Sequence, residues 1–122
     1  MAHILVIEDV AEFRQMLVQM LQQDGHRVDT AGDGVEAMAL LPRVRPDLII
    51  TDILMPNMDG VEFIMNLSRR SVATPIIAMS GGRRSITSEF ILDSASLLGV
   101  KSTLVKPFSR AALRTAIESA LP

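Results

Sequence analysis

Cysteine is the first absence in this sequence of 122 residues, which contains none. Without a thiol, neither a disulfide framework nor a thiolate site can form. No apolar run approaches the ~20 residues that cross a bilayer, and no basic segment with a cleavage site precedes the first strand-like run. A net charge of -2 argues against nucleic acid as a partner, because binding to a phosphate backbone needs a basic face. We therefore expect a cytoplasmic protein that binds neither a membrane nor nucleic acid directly.

The residues that are present predict one folded domain over positions 1–122. Hydrophobic residues make up 48% of the chain and charged residues 21%, which is typical of a globular domain. A chain of this length buries a little under ~70% of the surface that its unfolded form exposes. It is therefore long enough for a substantial core.

Five short apolar runs alternate with stretches of helical periodicity. The predicted strands are His3–Ile7, Arg27–Ala31, the run from Leu48 to Asp52, 75–80 and 103–105. The predicted helices start at about Val10, cover 34–41, 60 to about 70 and 84–98, and follow a cap at Ser109. The second helix is expected to end before Pro42, because proline lacks the amide N–H. This alternation predicts an α/β fold: a flavodoxin-like (βα)5 doubly wound sandwich whose five-stranded parallel sheet has the order 2-1-3-4-5.

Acidic residues mark the starts of several predicted helices. Asp33 and Asp59 are each followed by Gly-Val-Glu, and an Asp three residues before a Glu resembles a capping box. Capping explains both of these acids, so we assign them no chemistry. Asp9 is followed by Val-Ala-Glu and has the same spacing. For Asp9, therefore, a cap and a functional acid both remain open.

Asp52 ends the third predicted strand, and a turn from Pro56 to Gly60 follows closely. Open α/β sheets bind ligands in the crevice at the carboxyl ends of their strands. Taken alone, Asp52 is better interpreted as an ordinary acid that ends a strand and caps a loop. The decision depends on which other side chains reach the same edge.

Charged and polar residues end three other predicted strands. We expect the strands that end at Ile7, Thr51 and Val105 to be central neighbours, with the strand of Ser80 to one side. The carboxyl edge would then bring together an acid pair, the strand-ending acid, an ammonium and a hydroxyl: Glu8, Asp9, Asp52, Lys106 and Ser80. Such a coincidence is much less probable by chance than any one of these residues alone.

Three clustered carboxylates restrict the chemistry of this predicted site. Two like charges ~4 Å apart repel by about 4 kcal/mol at an effective dielectric near 20, so the cluster takes up protons or a cation. Oxygen ligands without His or Cys select a hard ion, Mg²⁺ or Mn²⁺. Lys106 and Ser80 would then contact phosphate oxygens, and a carboxylate can attack phosphorus to give an aspartyl-phosphate.

In this order and at these spacings, the residues resemble the receiver domain of bacterial two-component response regulators. The resemblance covers essentially the whole chain and rests on Glu8-Asp9, Asp52, Met55-Pro56-Asn57-Met58-Asp59-Gly60, Ser80 and Lys106-Pro107-Phe108. It implies that Asp52 accepts a phosphoryl group from the phosphohistidine of a sensor histidine kinase or a histidine phosphotransfer protein.

The resemblance also implies roles for the surrounding residues. Asp9, Asp52 and the main-chain carbonyl of Leu54 would ligate Mg²⁺, while Glu8 would help through water. The Lys106–Pro107 peptide bond is expected to be cis, and Pro107 and Gly60 are expected to have structural roles. Lys106 and Ser80 would hold the phosphoryl oxygens.

Such a domain is a phosphoacceptor rather than an enzyme. Its own chemistry would be limited to Mg²⁺-dependent self-phosphorylation from small donors and to self-dephosphorylation. The output would be a shift between two conformations, biased by Ser80 and transmitted through the face of the fourth helix, the fifth strand and the fifth helix. Other classes fit less well, because the sequence lacks the Gly-x-Gly-x-x-Gly of dinucleotide enzymes.

One position departs from the family pattern. Many receivers have Tyr or Phe three residues before the lysine, where this chain has Thr103. The aromatic half of the switch is therefore absent from that position. The alternative is a degenerate receiver that binds a partner protein without phosphorylation.

Overall fold

A computed structural model describes residues 1–55, 57–81 and 99–122 of the chain. The strands are β1 (His3–Ile7), β2 (Arg27–Ala31), β3 (Leu48–Asp52), β4 (Ile76–Gly81) and β5 (Ser102–Lys106). The helices are α1 (Ala11–Gln23), α2 (Gly34–Val44), α3 (Gly60–Arg69) and the C-terminal helix (Arg110–Ala120). The predicted helix over 84–98 lies outside the described residues. Among the described helices, none has the length and apolar character needed to span a bilayer.

All five strands belong to one parallel sheet of order β2-β1-β3-β4-β5, which confirms the predicted fold. The expectation that the strands of Ile7, Thr51 and Val105 are direct neighbours is wrong for the last of these. β5 is the edge strand, and β4 lies between it and β3. Neighbouring strands are ~4.8 Å apart, so a residue of β5 must reach across roughly twice that distance to meet Asp52.

Helices cover both faces of the sheet. Alternate residues of β1 show this directly: Ile4 and Val6 belong to the core that contains α1 and the C-terminal helix, whereas Leu5 and Ile7 belong to the core beneath α2 and α3. All four side chains are fully buried. Burial of each such side chain contributes about 1.5–3 kcal/mol. The two cores hold the central strands in place and leave only the strand ends accessible.

Three of the described helices have the side-chain caps that their sequences predict. Asp33 and Asp59 each accept a hydrogen bond at 2.9 Å from the amide three residues later, and Ser109 does so at 3.0 Å. Helix α1 differs, because its N-cap is Val10 and no side chain caps it. Asp9 therefore does not cap α1, and of the two interpretations of this acid the capping one is wrong.

Helix α2 is longer than its sequence predicts. The prediction that it ends before Pro42 is wrong, since the helix continues to Val44 with the proline inside it. The proline lies in the last turn, where its missing N–H costs a single helical hydrogen bond. Beyond the proline, the amide of Arg45 still donates to the carbonyl of Leu41 at 3.1 Å, and Arg45 then ends the helix in the left-handed region at φ 48°.

Candidate functional site

Glu8 and Asp9 follow β1 but occupy different environments. Glu8 is fully buried, and its carboxylate accepts a hydrogen bond from the amide of Val10 at 3.0 Å. Its main-chain carbonyl accepts another from the Arg14 guanidinium at 2.8 Å. Asp9 is exposed. The backbone turn between β1 and α1 therefore directs one acid into the protein and leaves the other accessible to solvent.

Asp52 is the last residue of β3 and is almost completely buried. One carboxylate oxygen accepts a hydrogen bond at 2.8 Å from the amide of Ile53, the next residue. The register of β1 and β3 pairs Ile7 with Thr51, so Glu8 and Asp52 leave the sheet side by side. Parallel pairing of these two central strands therefore places the two acids together.

At Gly60 the chain passes close to the backbone of Asp52 and supports it. The Gly60 amide donates to the carbonyl of Ile53 at 2.7 Å. A Cβ atom at position 60 would lie 2.4 Å from the carbonyl oxygen of Asp52 and 2.7 Å from the Cα of Ile53. Only glycine fits here without a backbone shift, and this accounts for its place at the end of the turn.

The three acids form one cluster at the carboxyl edge. Carboxylate oxygens of Glu8, Asp9 and Asp52 all lie within 4.8 Å of one another. Their mutual repulsion favours a bound cation, and carboxylate oxygens are the ligands of a hard ion such as Mg²⁺. Two of the acids are buried and one is exposed, so a cation has access from one side.

Lys106 reaches this cluster from the edge strand. Its ammonium donates to Asp52 Oδ2 at 2.8 Å and makes a still shorter hydrogen bond to Glu8 Oε1. The side chain passes the end of β4 at Gly81, where a Cβ atom would lie 3.8 Å from the Lys106 Cδ. The length of the lysine side chain thus compensates for the intervening strand.

Burial and ion pairing have opposite effects on the pKa of Glu8 and on the pKa of Lys106. Burial raises the pKa of Glu8, although the hydrogen bond from Lys106 opposes that shift. For Lys106, burial alone would lower the pKa, but the hydrogen bonds to Asp52 and Glu8 outweigh it and raise the pKa overall. The ammonium therefore remains charged at neutral pH and partly compensates the acids.

The other predicted site residues occupy less central positions. Ser80 is fully buried in β4, one residue beyond Met79, which pairs with Asp52 across the sheet. Leu54 lies in the loop two residues after Asp52, with a side chain that is exposed. Thr103 is exposed on β5. The Lys106–Pro107 peptide bond is cis.

Sequence reasoning missed an aromatic ring beside the lysine. Phe13 lies in the first turn of α1, and the Lys106 ammonium lies over its ring at 4.4 Å from the centroid. The Phe13 ring also meets Phe108 edge to face, with centroids 5.7 Å apart and an interplanar angle of 85°. The signal available in the sequence was the position of Phe13, in the first turn of the helix that follows the acid pair.

A second missed contact joins the loop after β3 to the start of α2. Asn57 has a positive φ of 68°, and its side-chain amide donates to Asp33 Oδ2 at 2.7 Å. Gly34 allows this approach, since a Cβ there would lie 2.9 Å from the carbonyl oxygen of Met58. The acid that caps α2 therefore also holds the loop that carries the residues after Asp52.

Comparison with known sequences gives one consistent family. A family model described as the response regulator receiver domain matches residues 4–118. The transcriptional regulatory protein PdtaR of Mycobacterium tuberculosis is 35% identical over 119 residues, which are 97% of this chain and 56% of that protein. The regulator of RpoS of Escherichia coli is 36% identical over 106 residues, which are 85% of this chain and 30% of that protein. The chain thus spans about half of the first relative and under a third of the second.

Solved structures agree with that family. The chemotaxis response regulator CheY4 of Vibrio cholerae has a TM-score of 0.86 and 35% identity, and the match covers 99% of each chain. A structure named FixJ-N has a TM-score of 0.86 and 28% identity, and the match covers 97% of this chain and 91% of that one. Receiver domains are phosphoacceptor signalling domains rather than enzymes in the usual sense. On the match over residues 4–118, this chain belongs to the response regulator receiver domain family.

Proposed function

We propose that Asp52 accepts a phosphoryl group from a phosphohistidine on a sensor histidine kinase or a histidine phosphotransfer protein. The observation that carries this proposal is the convergence of Glu8, Asp9 and Asp52 within 4.8 Å, with the Lys106 ammonium 2.8 Å from Asp52 Oδ2. A nucleophilic carboxylate, a cluster of acids for a cation and a fixed positive charge are the parts that phosphoryl transfer requires.

In the proposed reaction, a carboxylate oxygen of Asp52 forms a bond to phosphorus, and the bond from phosphorus to the donor histidine nitrogen breaks. The electron pair of that bond leaves with the imidazole. Asp52 Oδ2 is the oxygen that contacts Lys106, while Oδ1 is held by the amide of Ile53. The carboxylate is therefore oriented before the donor arrives, and orientation is a large part of the catalysis of phosphoryl transfer.

The residues present fit a Mg²⁺ ion. Asp9 and Asp52, together with the main-chain carbonyl of Leu54, are the proposed ligands, and Glu8 is proposed to act through water. When bound, the ion would supply positive charge to the phosphoryl oxygens. The Lys106 ammonium neutralises part of the charge on Glu8 and Asp52.

After transfer, Lys106 and Ser80 are proposed to hold the phosphoryl oxygens. A phosphoryl group carries up to two negative charges at neutral pH and accepts strong charge-assisted hydrogen bonds. A switch from 1:99 to 99:1 between two conformations needs about 5.5 kcal/mol of differential stabilisation, and these contacts are a suitable source of much of it. The proposed output surface includes β5 and the C-terminal helix, where Val105 is an exposed apolar side chain.

We also propose that residues 1–122 act as one receiver domain in the cytoplasm. The slow self-phosphorylation from small donors and self-dephosphorylation expected of the site belong to the same proposal. Both reactions use the same carboxylate and the same Mg²⁺ ligands.

Intact-mass spectrometry tests the assignment of Asp52. Incubation with Mg²⁺ and acetyl phosphate is expected to add one phosphoryl group to the parent protein, and removal of the metal with EDTA is expected to abolish the gain. The Asp52→Asn variant is expected to gain nothing, because an amide is a poor nucleophile toward phosphorus.

Asp47→Asn is the matched control for that experiment. Asp47 directly precedes the other end of β3, where its carboxylate accepts a hydrogen bond from the His3 amide at 2.8 Å. This variant should be phosphorylated like the parent. A parent protein that gains no mass, or an Asp52→Asn variant that still does, would contradict the proposal. The first result would favour the degenerate receiver that binds its partner without phosphorylation.

A further inference from the structure

The aromatic ring beside Lys106 comes from an unexpected part of the chain. The position three residues before the lysine holds Thr103, which is exposed on β5. Phe13 of α1 instead places its ring face under the ammonium, 4.4 Å from the centroid. A cation within ~6 Å of a ring face is attracted by the negative face of the π-system.

The environment of the ammonium strengthens this interaction. The Lys106 side chain is only 14% exposed, so little water competes for the charge. Among the residues that the structure describes, its partners are the Glu8 carboxylate, the Asp52 carboxylate and the Phe13 ring. Both carboxylates belong to the site proposed for a cation and a phosphoryl group. The ring is not part of that site and attracts the ammonium through its negative face.

Contact with a second ring fixes the orientation of Phe13. Phe108 packs edge to face against it at 5.7 Å between centroids. Phe108 is two residues beyond Lys106, so the loop that carries the lysine also carries the ring that orients Phe13. Both rings are half-buried and pack against the core that contains α1 and the C-terminal helix.

We propose that Phe13 is a positioning residue, which holds the Lys106 ammonium over the acidic cluster and thereby sets the rate of phosphoryl transfer to Asp52. This inference rests on the function proposed above. A lysine side chain has many rotamers and loses entropy when its ammonium is held in one place. The ring face reduces the number of positions open to the ammonium, so that the ammonium stays within reach of the incoming phosphoryl oxygens.

Fluorinated phenylalanines separate this electrostatic role from packing. Mono-, di- and trifluorinated phenylalanine at position 13 withdraw electron density from the ring face stepwise and change the volume of the ring little. The initial rate of mass gain with Mg²⁺ and acetyl phosphate is expected to fall with each fluorine, by about fivefold over the series, which corresponds to about 1 kcal/mol. The melting temperature should change little across the series, because the packing is retained.

The same series at Phe63 is the matched control, because Phe63 is buried in the core beneath α2 and α3 and is not the ring under the ammonium. Its rates should show no stepwise fall. Among natural residues, Phe13→Tyr should keep the parent rate and Phe13→Leu should lower it. Equal rates throughout the position 13 series would overturn the positioning role. A parent protein that is itself not phosphorylated would instead count against the proposed function, so the two failures are distinguishable.

Discussion

At the scale of single residues, Gly60 shows that the backbone of the site requires a residue without a side chain at this position. Gly60→Ala is expected to destabilise the fold by about 1–3 kcal/mol, as overpacking of a tight site does. The new Cβ would lie 2.4 Å from the Asp52 carbonyl oxygen and 2.7 Å from the Cα of Ile53, and both of these atoms belong to the backbone. Urea denaturation followed by circular dichroism measures the change.

Gly81→Ala is the control for that substitution. Among the described residues, a Cβ at Gly81 would meet only Lys106 Cδ, at the ordinary contact distance of 3.8 Å. Its midpoint in urea should stay close to that of the parent. If Gly60→Ala were as stable as Gly81→Ala, the close approach of the turn to Asp52 would not be a constraint on the sequence.

The residue types predicted which side chains form the acidic cluster better than they predicted how those side chains come into contact. Glu8 and Asp52 follow neighbouring strands, and strand order alone places them side by side. Lys106 lies on the edge strand, and its contact depends on the length of a side chain that passes Gly81. The contact of Phe13 depends on how α1 packs. Periodicity indicates which helix face is buried, but it does not indicate which atom lies next to a ring.

At the scale of secondary-structure elements, the loop after β3 and the start of α2 behave as one unit. Asn57 contributes a left-handed backbone conformation with φ 68° and a hydrogen bond to Asp33. Hydrogen bonds from the Glu36 amide and the Asn57 side chain lower the pKa of Asp33. The cap acid therefore remains ionised while it serves both elements.

Substitutions at Asn57 separate its two contributions. Asn57→Gly removes the hydrogen bond but tolerates the left-handed conformation, whereas Asn57→Ala loses the bond and strains the backbone. We expect Asn57→Ala to be less stable than Asn57→Gly by roughly 1 kcal/mol, the cost of left-handed backbone for a residue with a Cβ. Chemical denaturation of the two variants measures this difference. Equal stabilities would mean that the loop rearranges freely and is not held by Asn57.

The first and last residues of the helices could be predicted where local hydrogen bonds determine them. Asp33, Asp59 and Ser109 cap helices as the spacing of their residues predicts. The end of α2 was not predictable in this way, because a proline in a last turn costs one hydrogen bond and the packing of α2 on the sheet outweighs it. Local signals thus predict where these helices begin better than where they end.

At the scale of the whole molecule, alternating strands and helices were enough to predict the sheet order. They did not predict the contact between α1 and the C-terminal helix. Asp24, the residue that ends α1, accepts hydrogen bonds from Arg110 and Arg114 of the C-terminal helix. These contacts link positions about 90 residues apart. No local pattern indicates such a pair, because it depends on two helices that share one face of the sheet.

The Asp24 ion-pair cluster should make stability depend on pH. Hydrogen bonds from Arg114, and then from Arg110, lower the pKa of Asp24 in the folded state, while the pKa of an unfolded Asp is ~3.9. The folded pKa is the lower one, so the stabilisation is complete above the unfolded pKa and is lost as the pH falls through the folded pKa. Asp24→Asn should therefore lower the urea midpoint at pH 7. The gap between parent and variant should narrow below about pH 4.

Salt provides a second test of the same contacts. The Arg110 and Arg114 side chains are 40% and 56% exposed, so added sodium chloride should reduce the gap at pH 7. Asp47→Asn is the control, because its carboxylate accepts a hydrogen bond from the uncharged main-chain amide of His3 and not from an arginine. A gap between parent and Asp24→Asn that was constant from pH 7 to pH 3 would show that the cluster acts through packing and not through charge. The link between α1 and the C-terminal helix would then be insensitive to both pH and salt.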